Sequence, residues 1–404
     1  MLGAIARGVT TVVHLAPGQD VASTLRCLDG LGVQIDRLDT HSVRIHGRGD
    51  RGLAAPAQTL DAGNSGTTLR LLAGILAGHP FSARLDGDDS LRRRPMRRVM
   101  DPLTAMGASL NAHEFRPPLD IRGGPLQAID WTTTVPSAQV KSAVLFAGLY
   151  ANGVTTVREA LPTRDHTERA LVLFRVDHSA APGVCRVSGP QRPTAPAAIL
   201  RVPGDPSSAA VWATAAAVVP GASVEIEDVC LNPQRIGFVR VLERMGAEVA
   251  IIPSDDCGGE PVGTLRVSCG AARAVIVTPD EVPSLIDELP LLAAGAALAG
   301  GIEVTGAGEL RVKETDRISA LVRGLRALGA EADERPDGFV VGGRRRGHLP
   351  PAGGRADADG DHRLVMAFAV LALGSRGPTV VDGAGSVAVS YPGFLQDLEA
   401  LARW

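Results

Sequence analysis

A chain of 404 residues with 45% apolar and 21% charged residues has the composition of a folded protein, and its length suits two or three domains with sizeable cores. A net charge of −3 argues against a general nucleic-acid or membrane-surface role. The 5 cysteines (Cys27, Cys185, Cys230, Cys257 and Cys269) are odd in number and show no C-x-x-C spacing. That disfavours a zinc site or disulfide framework and suits a reducing cytoplasm.

Residues 1–18 have the length of a signal peptide but no basic start, and Val9–Leu15 is rich in β-branched residues, as a strand is. No apolar run reaches the ~20 residues of a membrane helix. A helix end then recurs along the chain, Leu-x-x-[Leu/Met]-Gly-[Ala/Val] running into a short strand. Its glycines are Gly32, Gly107, Gly246 and Gly329, and a degraded copy carries Arg175 in their place. Glycine there is the left-handed helix terminator, so each copy predicts a helix C-cap feeding a strand. The copies lie about 70–80 residues apart, and a last helix, Phe394–Ala402, ends the series. Six tandem α/β units are expected, three before about residue 200 and three after. The first is short at its front.

Leu60-Asp61-Ala62-Gly63-Asn64-Ser65-Gly66-Thr67-Thr68-Leu69-Arg70 is a polar, glycine-bearing loop opening an apolar helix. Asn, Ser and Thr cap the orphan amides of such a helix, and its N-terminus favours an anion. From these residues alone, an ordinary cap before a core helix reads equally well. Farther on, Arg92-Arg93-Arg94-Pro95-Met96-Arg97-Arg98 is either a solvated or nucleic-acid-binding run or an anion clamp set into the fold. Ser137-Ala138-Gln139 opens a helix over Val140–Leu149, with Lys141 read as structural. Thr163-Arg164-Asp165-His166 follows, and His166 is also read as structural. Asp287 and Glu288 stand at an otherwise apolar helix entrance; a buried carboxylate there suits a general base, a cap with a surface charge being the other reading. In Lys313-Glu314-Thr315-Asp316-Arg317 the i,i+4 spacing predicts Lys313 and Arg317 on one helix face, as in any charged helix.

Taken together these blocks resemble the enolpyruvyl transferase family, on the branch of the EPSP synthases. The resemblance runs through D-x-G-N-S-G-T-x-x-R at Asp61–Arg70, GDDSLRRRPM (Gly87–Met96), SAQVKSA (Ser137–Ala143) and TRDHTER (Thr163–Arg169). It continues in GDPSSAA (Gly204–Ala210), LNPQR (Leu231–Arg235), LIDELP (Leu285–Pro290), LRVKETDR (Leu310–Arg317), DHRLVMA (Asp361–Ala367) and SVAVSYPGF (Ser386–Phe394). It implies an α/β fold of two similar domains, 1–200 and 201–404, each an inside-out bundle of three tandem repeats, with the active site in the cleft between them. The implied reaction passes the enolpyruvyl group of phosphoenolpyruvate to the 5-hydroxyl of shikimate 3-phosphate, in a cytoplasmic monomer, with no metal or organic cofactor.

By this resemblance Asn64, Gly66, Arg94, Arg317 and Arg363 hold phosphoenolpyruvate. Ser137, Gln139, Arg164, Asp287 and Lys313 hold shikimate 3-phosphate. Asp287 is the base or orienter of the hydroxyl, Glu314 the proton donor to the methylene carbon, and Lys313 assists beside them. Three arginines suit a small trianion better than lysines would. Two departures stand out. Val389 occupies a position where some relatives carry Lys, and the family's opening P-[GS]-[DS]-K-S-x-x-x-R block is absent. The natural protein is therefore expected to be about 30 residues longer, the shortfall in the first repeat. A branch acting on UDP-N-acetylglucosamine commonly uses a cysteine in the loop filled here by Gly87–Arg94, which has none. The remaining rival is a relative that binds the ligands without turnover.

Overall fold

The computed structural model describes residues 1–343 and 349–402. The chain divides into two compact units, Met1–Val202 with Cys257–Gly259, and Pro203–Asp256 with the residues from Glu260 onward. Each unit is built from the same repeat, and the reason is visible in its helices.

Three helices in each unit are mostly apolar and largely buried, as a helix in the middle of a core is. In the first unit these are Leu2–Ile5, Gly66–Ala77 and Ala138–Gly148. In the second they are Pro206–Val218, Leu289–Leu298 and His362–Leu373, and every residue of Leu289–Leu298 is buried. Their neighbours in sequence are two-faced. Gly237–Arg244 buries Phe238, Val239, Val241 and Leu242 and exposes Arg240, Glu243 and Arg244. Close packing between central helices needs small residues: a Cβ on Gly74 would sit 2.1 Å from the Ala143 carbonyl oxygen, so only glycine lets Gly66–Ala77 approach Ala138–Gly148 this closely.

Sheets cover these helices with one strand order. Leu60–Asp61 runs parallel to Ser82–Asp86, which pairs antiparallel with Leu119–Arg122, and that strand pairs with Ser109–Ala112. The order recurs as Leu200–Arg201, Val9–Val13, Val43–His46, Gln34–Arg37 and as Val275–Val277, Gly301–Val304, Gly338–Gly342, Ala332–Arg335. A parallel pair needs a crossover: Gly66–Ala77 supplies it between Leu60–Asp61 and Ser82–Asp86, and Leu289–Leu298 between Val275–Val277 and Gly301–Val304, whereas Val9–Val13 and Leu200–Arg201 pair across most of the first unit's length. The sheet of Gly354–Asp357 and Thr379–Asp382 has the parallel pair alone among the described residues.

The recurring helix ends fold as the repeat predicts. Gly32, Gly107, Gly246 and Gly329 all have positive φ. In each, the next residue's amide reaches back to the carbonyl of the leucine five positions before it, as in Val33 to Leu28 at 3.1 Å and Ala330 to Leu325 at 2.9 Å. The degraded copy behaves identically: Arg175 takes φ +55°, and Val176 N–H donates to Leu171 at 3.0 Å. A side chain at this angle costs about 1–2 kcal/mol, and Arg175 is exposed. Arg175→Gly is therefore expected to stabilise the first unit by about 0.5–1 kcal/mol, after the larger unfolded-state entropy of glycine is subtracted. A higher urea midpoint with unchanged slope checks it.

Candidate active site

In the first unit, Ser65 caps Gly66–Ala77 by accepting from Thr68 N–H at 3.1 Å, and Gly63 makes the preceding turn with φ +57°. The capped turn carries polar groups toward one another. Arg94 Nη2 donates to Asn64 Oδ1 at 2.9 Å, and Asn64 Nδ2 donates to Asp88 at 2.7 Å. Arg94 is buried while Arg92, Arg93 and Arg97 are exposed, so one arginine of the basic run turns inward. Arg70 Nη1 donates to Gln139 Oε1 at 2.6 Å, and Gln139 Nε2 donates to Thr67 at 2.8 Å. A Cβ on Gly66 would stand 2.7 Å from Arg70 Nη1 and 3.1 Å from Arg94 Nη1. Glycine thus leaves room for two guanidinium groups at a helix N-terminus, a setting that favours an anion.

Ser137 caps Ala138–Gly148, the helix that bears Gln139. Lys141, one turn in, is buried and pairs with Glu159 at 2.9 Å and Glu168 at 2.8 Å. Burial works against its charge, but Glu168 and Glu159 outweigh it and raise the ammonium above its usual range. Its Nζ also donates to the Thr163 carbonyl at 3.3 Å. Lys141 therefore ties the loop that carries Arg164 to the helix of Ser137 and Gln139. Arg94 with Asn64, and Arg70 with Gln139, are two hydrogen-bonded pairs whose guanidinium groups both approach Gly66, and sequence reasoning left Arg70 without a role.

The second unit holds a denser cluster. Asp287 is buried, and its carboxylate faces Lys313 Nζ at 3.2 Å, Arg317 Nη1 at 3.4 Å and Arg363 Nη2 at 3.9 Å. Arg317 is fully buried, pairs with Asp361 at 2.6 Å and donates to Glu314. Burial would lower its pKa, but Asp361, Glu314 and Asp287 overcome that and raise it. Arg363 Nη1 donates to the Asp287 carbonyl at 3.2 Å. Asp287, Lys313, Glu314, Arg317 and Arg363 are thus one constellation.

One detail of the expectation is corrected. Lys313 and Arg317 do not share a helix face: Lys313 follows the 3-10 turn Gly308–Val312, and the α-helix begins only at Arg317. Asp316 caps that helix by accepting from Ser319 N–H at 3.1 Å, and a strong cap places the boundary inside the charged run. The two cations meet at Asp287 from separate elements instead. Asp361 was the unassigned partner; as the cap of His362–Leu373 with Arg363 at its heels, it carried a readable cap signal.

His362, beside this cluster, is pushed down to about 4, first by burial and then by Arg363. Between that value and the ordinary ~6.5 the unfolded chain takes up a proton that the folded chain refuses, so stability rises with pH across this window. The wild type is expected to lose about 2–3 kcal/mol more than His362→Gln between pH 7 and pH 4. Urea unfolding at both pH values measures the difference.

The family model of EPSP synthase (3-phosphoshikimate 1-carboxyvinyltransferase) matches residues 1–398. The chain belongs to the EPSP synthase family. A 3-phosphoshikimate 1-carboxyvinyltransferase of Acidithiobacillus ferrooxidans is 48% identical over 396 residues, covering 98% of this chain and 90% of that protein. One from Solibacter usitatus is 46% identical over 405 residues, covering 100% and 93%. The solved EPSP synthase of Acinetobacter baumannii superposes with a TM-score of 0.86 at 39% identity, covering 99% of this chain and 92% of that one. The chain is accordingly an enzyme of the EPSP synthase type, transferring the enolpyruvyl group of phosphoenolpyruvate to shikimate 3-phosphate in aromatic biosynthesis. The family's two-domain α/β fold is the fold observed.

Proposed function

We propose that the residues of these constellations divide between the two substrates. Asn64, Gly66, Arg94, Arg317 and Arg363 bind the carboxylate and phosphate of phosphoenolpyruvate. Ser137, Gln139 and Arg164, with Lys313 and Asp287, bind shikimate 3-phosphate. Asp287 accepts the proton of the 5-hydroxyl as its oxygen adds to C2 of phosphoenolpyruvate. Glu314 gives a proton to C3, so addition yields a methyl-bearing tetrahedral phosphate. Glu314, now a carboxylate, takes a proton back from that methyl group as phosphate leaves C2 with the proton held by Asp287, giving the enol ether 5-enolpyruvylshikimate 3-phosphate. Each step moves protons and one C–O bond, and the cations offset charge on the departing phosphate.

The observation that carries the assignment is Asp287, a buried carboxylate with Lys313 at 3.2 Å and Arg317 at 3.4 Å, and Glu314 on the same arginine. A monomer in a reducing cytoplasm completes the reading. The five free cysteines suit the reducing compartment, and among the described residues no helix is long and apolar enough to cross a membrane. Phosphate release is measured with phosphoenolpyruvate and shikimate 3-phosphate, and the vinyl product is identified by NMR. Binding of shikimate 3-phosphate without release, or release that requires UDP-N-acetylglucosamine instead, overturns the reading.

A further inference from the structure

Beneath Asp287 lies a second charged layer that the reaction does not use. Glu288, the next residue, is completely buried at the entrance of Leu289–Leu298. Its Oε1 accepts from Ser207 Oγ, in the first turn of Pro206–Val218. Ser207 Oγ in turn accepts from Arg235 Nη2 at 2.9 Å, and the same Nη2 donates to Asp205 at 3.1 Å. Burial disfavours the charge of Arg235, yet Asp205, Glu288 and Asp287 outweigh it and raise its pKa. The chain Arg235–Ser207–Glu288 therefore joins the turn after strand Ser223–Cys230 to the peptide that bears Asp287.

Arg363 stands at the edge of this layer. Its Nη1 lies 3.8 Å from Glu288 Oε1, and its Nη2 lies 3.9 Å from Asp287 Oδ2. Both distances exceed the 2.7–2.9 Å of a charge-assisted hydrogen bond. Its one close bond is to the Asp287 carbonyl, a neutral acceptor. Arg363 is thus near two carboxylates but engaged bidentately with neither. Glu288 Oε2, by contrast, is buried with no hydrogen-bond partner, so Glu288 has the capacity to take a second donor. Arg235 is the charge that offsets it.

We propose that Arg235 is a positioning residue for the transfer reaction: acting through Ser207, it occupies Glu288 and so keeps the Arg363 guanidinium from collapsing onto that carboxylate. The proposal rests on the reading of Arg363 as a phosphoenolpyruvate contact. Without Arg235, a fully buried carboxylate is left uncompensated, and the nearest remaining cation is Arg363. Moving about an ångström converts the 3.8 Å approach into a charge-assisted hydrogen bond and withdraws the donor from its anion. The loss falls on phosphoenolpyruvate and not on shikimate 3-phosphate.

The test is steady-state kinetics on the full chain for Arg235→Met, Arg235→Lys and the double variant Arg235→Met/Glu288→Gln, with Arg363→Lys alongside. Arg235→Met is expected to raise KM for phosphoenolpyruvate about tenfold or more, the value of a lost hydrogen bond to a charged group, with KM for shikimate 3-phosphate unchanged. Arg235→Lys restores part of it. Glu288→Gln in the Arg235→Met background restores most of it, because the competing charge is gone. A purely structural role for Arg235 moves both KM values and the urea midpoint together and gains nothing from the second substitution. That outcome overturns the proposal. If Arg363→Lys leaves KM for phosphoenolpyruvate unchanged, the underlying assignment of Arg363 fails and the proposal falls with it. If Arg363→Lys raises that KM and Arg235→Met does not, Arg235 alone is excluded.

Discussion

Asp287→Asn is expected to lower kcat by about 10²–10⁴-fold, the usual worth of a positioned general base. Asparagine matches aspartate in shape, so packing around a buried position is preserved. It cannot accept the hydroxyl proton, and it removes the negative charge that faces Lys313, Arg317 and Arg363. The two losses are separable. Loss of the base slows the chemical step, whereas loss of the charge changes how tightly the three cations hold an anion. The first appears in single-turnover phosphate release with both substrates saturating. The second appears in the KM values, and KM for phosphoenolpyruvate is expected to fall or hold steady as the cations are freed. A variant whose kcat is intact and whose KM for shikimate 3-phosphate alone rises makes Asp287 an orienting contact, and the base must be sought elsewhere.

How much of this was legible in the sequence depends on the range of the interaction. Helix ends are local, and the recurring Leu-x-x-[Leu/Met]-Gly-[Ala/Val] motif predicted the left-handed turns at Gly32, Gly107, Gly246 and Gly329, with Arg175 as the degraded member. Caps are local too, and Ser65 and Ser137 bond the third amide onward as their helices require. The inward arginine of the basic run was legible only through its motif, since charge pattern treats Arg92, Arg93 and Arg94 alike. The pairings that give the second unit its chemistry are distant. Arg317 and Asp361 are 44 residues apart, Arg235 and Asp205 are 30, and Ser207 and Glu288 are 81. No local rule joins them. The same limit explains the error over Lys313 and Arg317: helical spacing placed them on one face, but the cap at Asp316 decides where the helix starts.

The caps also separate the two units in kind. In the first unit the central helices Gly66–Ala77 and Ala138–Gly148 start at serines, which neutralise amides without adding charge. In the second, Pro206–Val218 starts at Asp205 and His362–Leu373 at Asp361. Burial alone would push the Asp205 carboxyl up, yet Arg235 and Arg363, with the amides of Ser207 and Ser208, hold it below its ordinary value. Arg235 and Arg317 are therefore each paired with a carboxylate fixed at the start of a central helix.

Arg317 is where this dependence is greatest, and Arg317→Met is expected to destabilise the second unit by about 3–5 kcal/mol. Methionine fills most of the space. It strands Asp361, which has no exposed surface, and leaves Glu314 and Asp287 with fewer cations. Breaking one partner out of a buried pair costs more than replacing both, because the surviving charge keeps its desolvation penalty. Arg317→Met/Asp361→Asn should therefore recover a large part of the loss, although asparagine still caps His362–Leu373. Urea unfolding followed by tryptophan fluorescence in a Trp131→Phe/Trp404→Phe background reads the second unit, since Trp212 packs against Phe394 and donates to Tyr391 at 3.0 Å. With two units in the chain, that transition is compared at a single wavelength across variants and not treated as global two-state unfolding. A double variant no more stable than the single one would mean that Asp361 is not the charge Arg317 compensates. The cost would then trace to Glu314 and Asp287, the two carboxylates proposed for proton transfer.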